Sequence, residues 1–189
     1  MSNKVVVETI GDSLIVRFVR PETRNPLSVD VLERLNEIVD DLPSDIAKLI
    51  FTGSDDVFAS GADLREIANA NTGTAREFAL NGQSLMQKIA DLSVNTIAVV
   101  NGYCFGGALD LALACDIRVA SPNAEFCHPG ANLGIITGWG GTQRLSRLLG
   151  EATALEMFMT AKRVGAKEAL TVGLIDAVSE DPLDLAISY

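Results

Sequence analysis

The chain has 189 residues, nearly half of them hydrophobic, enough for one domain with a sizeable core. Its 25 acidic residues against 15 basic ones give a formal net charge of −10, which excludes the basic stripe of a nucleic-acid binder but leaves room for an anionic small molecule. No apolar run is long enough to span a bilayer, the opening MSNKVVVETIGD lacks the apolar core and cleavage site of a secretory leader, and three cysteines without CxxC spacing argue against a disulfide framework or zinc site. The expectation is a cytoplasmic globular protein with no metal.

In chain order, residues 5–8 and 14–18 read as two strands joined by a Gly11-Asp12 turn, a hairpin signal. Residues 21–26 form a turn-rich loop. Ser28 stands where it can cap a helix with apolar Val31, Leu32, Leu35, Ile38, Val39 and Leu42 at helical spacing. Residues 49–51 read as a short buried strand and residues 76–92 as an amphipathic helix. Residues 97–100 are an apolar strand, 107–114 a helix and 117–119 a strand. Helices over 141–149 and 152–160 flank Gly150. A short helix over 166–171 precedes a strand over 174–178. Strands alternating with helices imply an α/β protein with a parallel core. There is no internal linker and no repeat.

Two loops stand out. Residues 99–116, VVNGYCFGGALDLALACD, carry a strand through Asn101-Gly102 into the pair Gly106-Gly107 and then a helix. Its first N–H groups lack intrahelical acceptors and suit a developing negative charge, and glycine lets a ligand approach the backbone. Asp110 follows one turn later on a mostly apolar helix, where a carboxylate needs a reason; the plainer reading is a solvated carboxylate at the helix rim. Residues 53–67, GSDDVFASGADLREI, place Ser60, Gly61 and Ala62 before Asp63, which can cap a helix starting at Leu64. Alone, this is a helix start. Beside the first loop, the Ala62 N–H reads as the second donor of an oxyanion hole.

Other residues have weaker signals. Gly138, Trp139, Gly140 and Gly141 open a further helix, either as a tight turn packed on the core or as a helix end lining an acyl pocket. Trp139 could wall that pocket or fill core. The spacing is not GxGxxG, so a dinucleotide site is not indicated. His128, the only histidine, reads first as structural; its place two residues before Gly130 also makes it a stand-in proton donor. Cys104 reads as a small buried hydrophobe, with a nucleophile as the alternative.

Four blocks together resemble the crotonase, or enoyl-CoA hydratase/isomerase, superfamily: FTGSDDVFASGADLREI, VNGYCFGGALDLALACDIRVASPNAEF, LGIITGWGGTQRLSRLLG and AKEALTVGLIDAV. They match in order and spacing over nearly the whole chain. The resemblance implies a spiral of ββα units, usually assembled as trimers or paired trimers. It implies a thioester carbonyl polarised by the backbone N–H groups of Ala62 and Gly107. It places the CoA ribose and phosphate region near Thr23 and Arg24. No cofactor is implied beyond the acyl-CoA substrate itself.

The sequence departs from the hydratase pattern at the acid/base positions. The first of the two hydratase glutamates falls on Asp110, a shorter carboxylate, and the second on Gly130, which has no side chain. Misplacement by about 1 Å can cost about a hundredfold in rate. The C-terminus also departs: family chains usually continue for several helices, so a single domain over 1–189 with those helices absent or truncated is expected. The first functional reading is an acyl-CoA-processing lyase or isomerase of fatty acid metabolism. Its site comprises Ala62, Gly107 and Asp110 as catalytic residues, with Thr23, Arg24, Ser60, Gly61, Gly106, Gly130, Gly138 and Trp139 around the substrate. A non-catalytic acyl-CoA-binding relative is the second reading. The third is a thioester hydrolase with Cys104 or Ser60 as nucleophile and His128 as base, ranked last because no GxSxG elbow is present. A homo-oligomer is expected, with no nucleic-acid or membrane partner.

Overall fold

The computed structural model describes residues 4–189; residues 1–3 of the stretch read for a leader lie outside the described residues. The chain opens with the expected hairpin, β1 (Val5–Ile10) and β2 (Ser13–Phe18) paired antiparallel. Gly11 takes φ +60° in its turn, a conformation glycine adopts without a Cβ penalty. Then follow β3 (Pro26–Leu27), α1 (Val29–Asp40), β4 (Lys48–Thr52), β5 (Val57–Ala59), β6 (Gly61–Ala62), α2 (Leu64–Ala68) and α3 (Thr72–Ala90). The middle holds β7 (Asn95–Val100), β8 (Tyr103–Phe105), α4 (Gly107–Ala114), β9 (Ile117–Ala120), β10 (Glu125–Cys127) and α5 (Gly130–Leu133). The last third holds α6 (Gly141–Leu149), α7 (Glu151–Thr160), β11 (Val164–Gly165), α8 (Ala166–Thr171), β12 (Ala177–Val178) and α9 (Pro182–Ser188).

The larger sheet runs β1-β2-β4-β7-β9-β12, with every pair after the hairpin parallel. Its strands alternate between two faces. Leu49 and Phe51 of β4 and Ala98 and Val100 of β7 join the main core under the helices. Ile50, Ile97 and Val99 point the other way, into a smaller cluster with Ala186 of α9. Both faces are therefore covered, as parallel sheets require. The C-terminal helix α9 lies across β7 and β9. In α1 the five buried apolar residues follow helical spacing. Ser28 does not serve as expected there: its Oγ donates to Asp30 Oδ1. The helix expected over 76–92 starts earlier, because Asn71 accepts from the N–H groups of Gly73 and Thr74 in a capping box. The strand expected over 174–178 shrinks to two residues, because Leu174 and Ile175 turn back to hydrogen-bond the Ala169 carbonyl after α8.

A second sheet, β11-β10-β8-β5, positions the site. Its three parallel strands have three residues each and carry too little pattern to be read from sequence. Among the described residues no helix is long and apolar enough to cross a membrane.

Candidate active site

Three loops leave the C-terminal ends of the neighbouring parallel strands β5, β8 and β10, where open α/β sheets gather ligands. Register brings them together. Cys104 pairs with Ala59 on one side and Phe126 on the other, and Phe105 pairs with Cys127. The next residues along each strand are Ser60, Gly106 and His128. The Gly106 N–H donates to the Cys127 carbonyl at 2.8 Å, fixing the second loop to the third. Buried Asn25 anchors the first: its Nδ2 donates to the carbonyls of Val57 and Phe58, and the Ser60 N–H reaches the Asn25 carbonyl. Nothing in the sequence pattern pointed to Asn25.

Gly61 holds φ +84°, and a Cβ there would lie 2.6 Å from the Gly107 nitrogen and from the Phe105 oxygen. The two glycine loops are thus in backbone contact, with Ala62 adjoining Gly107. Asp63 caps α2 as expected, accepting from the Arg65 N–H at 2.9 Å. Gly107 also leaves space for Trp139: a Cβ at Gly107 or at Gly82 of α3 would overlap the indole. Trp139 is both alternatives at once, a buried ring tilted against Phe78 and a wall of the cavity.

Asp110 is not at the helix rim. It is fully buried, and its Oδ2 accepts from the Thr137 hydroxyl and from the Trp139 N–H. A Cβ at Gly141 would overlap Oδ1, so the glycine run that opens α6 leaves room for this carboxylate. Oδ1 faces His128 Nε2 at 3.6 Å. Among the described residues, Oδ1 and both His128 ring nitrogens have no hydrogen-bond partner. Burial pushes the Asp110 carboxyl up to about 6, against the opposing effect of the Thr137 and Trp139 donors. Burial likewise pushes His128 down to about 4. Near neutral pH the pair is therefore a carboxylate beside a neutral imidazole. Phe158 covers the imidazole, ring centroids 4.8 Å apart.

These groups border a cavity of about 1260 Å³. Thr23, Arg24, Ser60, Ala62, Gly106, Gly107, Gly130, Gly138 and Trp139 line it, as does His128; Gly61 and Asp110 lie just behind the wall. Arg24 is exposed and its guanidinium sits 5.6 Å from the centre of the Tyr103 ring. Much of the remaining lining is apolar: Leu64, Ile67, Phe78, Leu133, Ile135, Ile136 and Met159. Gly130 differs from a simple missing side chain, because a Cβ there would overlap the Ile135 carbonyl oxygen. The nucleophile alternative at Cys104 loses support: the thiol is fully buried, and burial and the neighbouring Asp110 raise its pKa well above the ordinary value. Among the described residues no cluster of His, Cys, Asp or Glu could hold a metal ion. Thr137 was not expected from sequence; its place as a donor to Asp110 depends on the 130–137 loop folding back.

Residues 10–185 match the model of a family described as enoyl-CoA hydratase/isomerase. The short-chain-enoyl-CoA hydratase of Clostridium acetobutylicum is 38% identical over 181 residues, covering 94% of this chain and 69% of that protein. The crotonyl-CoA hydratase of Syntrophomonas wolfei is 39% identical over 177 residues, 92% of this chain and 68% of that one. Among solved structures, DspI of Pseudomonas aeruginosa superposes with a TM-score of 0.94 at 34% identity, over 99% of this chain and 78% of its own.

Proposed function

Because the chain belongs to the enoyl-CoA hydratase/isomerase family and has the crotonase fold, we propose that it moves protons on an enoyl-CoA whose carbonyl is held by the Ala62 and Gly107 N–H groups. The observation that carries this reading is the backbone contact of Gly61 with Gly107 at the wall of a large, mostly apolar cavity. Two N–H donors fixed before the reaction stabilise the enolate oxygen without reorganisation, the largest single contribution in many such sites. The acid/base function centres on the buried carboxylate of Asp110 and the groups around it. Thr23 and Arg24 lie at the cavity where the ribose and phosphates of CoA would run, and the apolar residues receive the acyl chain.

Water addition is the weaker half of the chemistry here. It needs a second group to place the water, and residue 130 offers only backbone. Transfer of a proton between two carbons of the thioester needs only one acid/base centre and the carbonyl site, and the contact of Gly61 with Gly107 and the buried Asp110 support that reading. The assembly expected from the family, a trimer or paired trimers, would cover the exposed Leu148 and Leu155; sedimentation over a concentration series tests it. The reaction is tested by incubating the protein with a panel of enoyl-CoA and 3-hydroxyacyl-CoA thioesters in heavy water, with mass spectrometry of the products. Deuterium in the acyl chain with little hydration is the expected result. Thioester binding with no exchange would overturn the reading in favour of a binding protein.

A further inference from the structure

His128 is the only histidine of the chain, and the family resemblance gave it no role. It is 2% exposed, lines the cavity, and leaves both ring nitrogens without a partner among the described residues. A buried polar group left unpaired costs about 1–3 kcal/mol, so its retention needs a cause. The one polar atom beside it in equal need is Asp110 Oδ1, 3.6 Å from Nε2. The rest of Asp110 is committed: Oδ2 already takes two donors, and the carboxylate has no surface on the cavity. Asp110 is absent from the cavity wall, whereas His128 is part of it, with its ring nitrogens buried between Asp110 and the Phe158 ring.

We propose that His128 is the catalytic residue that exchanges protons with the bound thioester, and that Asp110 is a positioning residue behind it, holding the charged imidazole. This rests on the reading of the cavity as a thioester site with Ala62 and Gly107 at the carbonyl. Nε2 faces Asp110; Nδ1, buried and unpartnered, is the nitrogen left for the substrate, which must displace the covering Phe158 ring to reach it. In a proton shift along the acyl chain, Nδ1 takes a proton from the γ-carbon. The C–H electron pair becomes the new β,γ double bond, and the former α,β double-bond electrons move into the enolate whose oxygen the two N–H groups hold. The imidazolium is balanced by the Asp110 carboxylate. The enolate then collapses, its electrons forming the new C–H bond at the α-carbon with the proton from Nδ1. The base is regenerated, nothing is oxidised, and no second carboxylate at residue 130 is required. The same steps run in reverse. The Asp110–His128 distance is long for a hydrogen bond, but such contacts commonly tighten only when substrate fills the site.

The test follows but-3-enoyl-CoA and but-2-enoyl-CoA in heavy water, with butyryl-CoA as the unreactive ligand for calorimetry. His128→Gln should lose isomerisation and exchange by about 10²–10⁴, the usual worth of general acid–base catalysis, while still binding butyryl-CoA. His128→Ala should regain part of the lost rate when imidazole is added to the buffer, which a purely structural histidine would not show. Exchange at the parental rate in His128→Gln, with exchange lost in Asp110→Asn, would overturn the proposal and leave the thioester reading standing. A parent protein that neither exchanges nor binds butyryl-CoA would remove both. Should the variants fail to fold, histidine labelled with ¹⁵N decides on the parent: the single pair of ring signals should move on saturation with butyryl-CoA, and unmoved signals would overturn the assignment.

Discussion

The wall proposed to hold the carbonyl and the wall proposed to carry the proton lie three residues apart in sequence, at Gly107 and Asp110, yet they are held in different ways. Gly107 belongs to a contact between two backbones, permitted by the absence of a side chain at Gly61. Asp110 belongs to a knot drawn from two other segments: the Thr137 hydroxyl and the Trp139 N–H before α6, and the His128 ring after β10. A backbone device depends on a few glycines and survives changes around it. A side-chain device depends on what each neighbour can donate, and it is where this chain differs from the two-glutamate pattern of hydratases.

The sharpest way to separate the two walls is Asp110→Asn. The amide keeps the shape and can still accept from Thr137 and Trp139, but it has no charge with which to balance an imidazolium. Deuterium exchange should fall by about 10²–10⁴ with thioester binding kept. Binding lost together with exchange would mean the walls are one unit. Next in size is Gly61→Ala. Its φ of +84° is strained for alanine, and the new methyl would press on the Gly107 nitrogen. Turnover should drop by about 10²–10³, the cost of losing one oxyanion donor. A folded Gly61→Ala protein with parental turnover would dissolve the backbone wall.

Acid titration probes the proton wall alone. Asp110 sits at about 6 in the fold and at ~3.9 in the unfolded chain, so the native state takes its proton first and gains stability as pH falls through that window. His128 sits at about 4 in the fold and at ~6.5 unfolded, so the unfolded state takes that proton first and stability is lost as pH falls. In the parent the two oppose each other. Relative to the parent, Asp110→Asn should lose stability on acidification and His128→Gln should gain it, each by on the order of 3 kcal/mol. Urea unfolding at neutral and mildly acidic pH measures both. Variants that run parallel to the parent would place the pair in contact with water.

The two walls also differed in how far the sequence revealed them. Gly61, Gly106, Gly107 and the Asp63 cap announce themselves, since a glycine pair at a helix start and an acidic N-cap are local signals. The hairpin at Gly11-Asp12 and helix α4 are legible for the same reason. The contact of Asp110 with His128 is not local. It is set by the parallel register of β8 and β10, strands of three residues whose existence depends on the sheet they complete. Trp139 could not be placed because its slot is cut by two glycines 25 residues apart, Gly82 and Gly107. Asn25 and Thr137 act through loop conformations that no spacing rule encodes.

Gly130 gives the smallest and most discriminating test. From sequence it looks like a deleted carboxylate, so Gly130→Glu would be expected to restore the second hydratase group. The structure argues otherwise. Any Cβ at residue 130 would overlap the Ile135 carbonyl oxygen, and the Ile135 N–H is bonded to the Gly130 carbonyl, so the turn is closed upon itself. Relieving the overlap must move the loop that delivers Thr137 to Asp110. Gly130→Glu should therefore cost about 1–3 kcal/mol, the range for overpacked positions, and bring no gain in hydration of a short enoyl-CoA. It should also slow proton exchange, because the loop shift withdraws a donor from Asp110. A variant that folds with parental stability and hydrates faster would show that the proton wall is as portable as the carbonyl wall, and that the closed turn at 130–135 imposes no constraint on it. A variant that hydrates no faster, with exchange diminished, would tie the missing carboxylate to the geometry that brought His128 and Thr137 around Asp110.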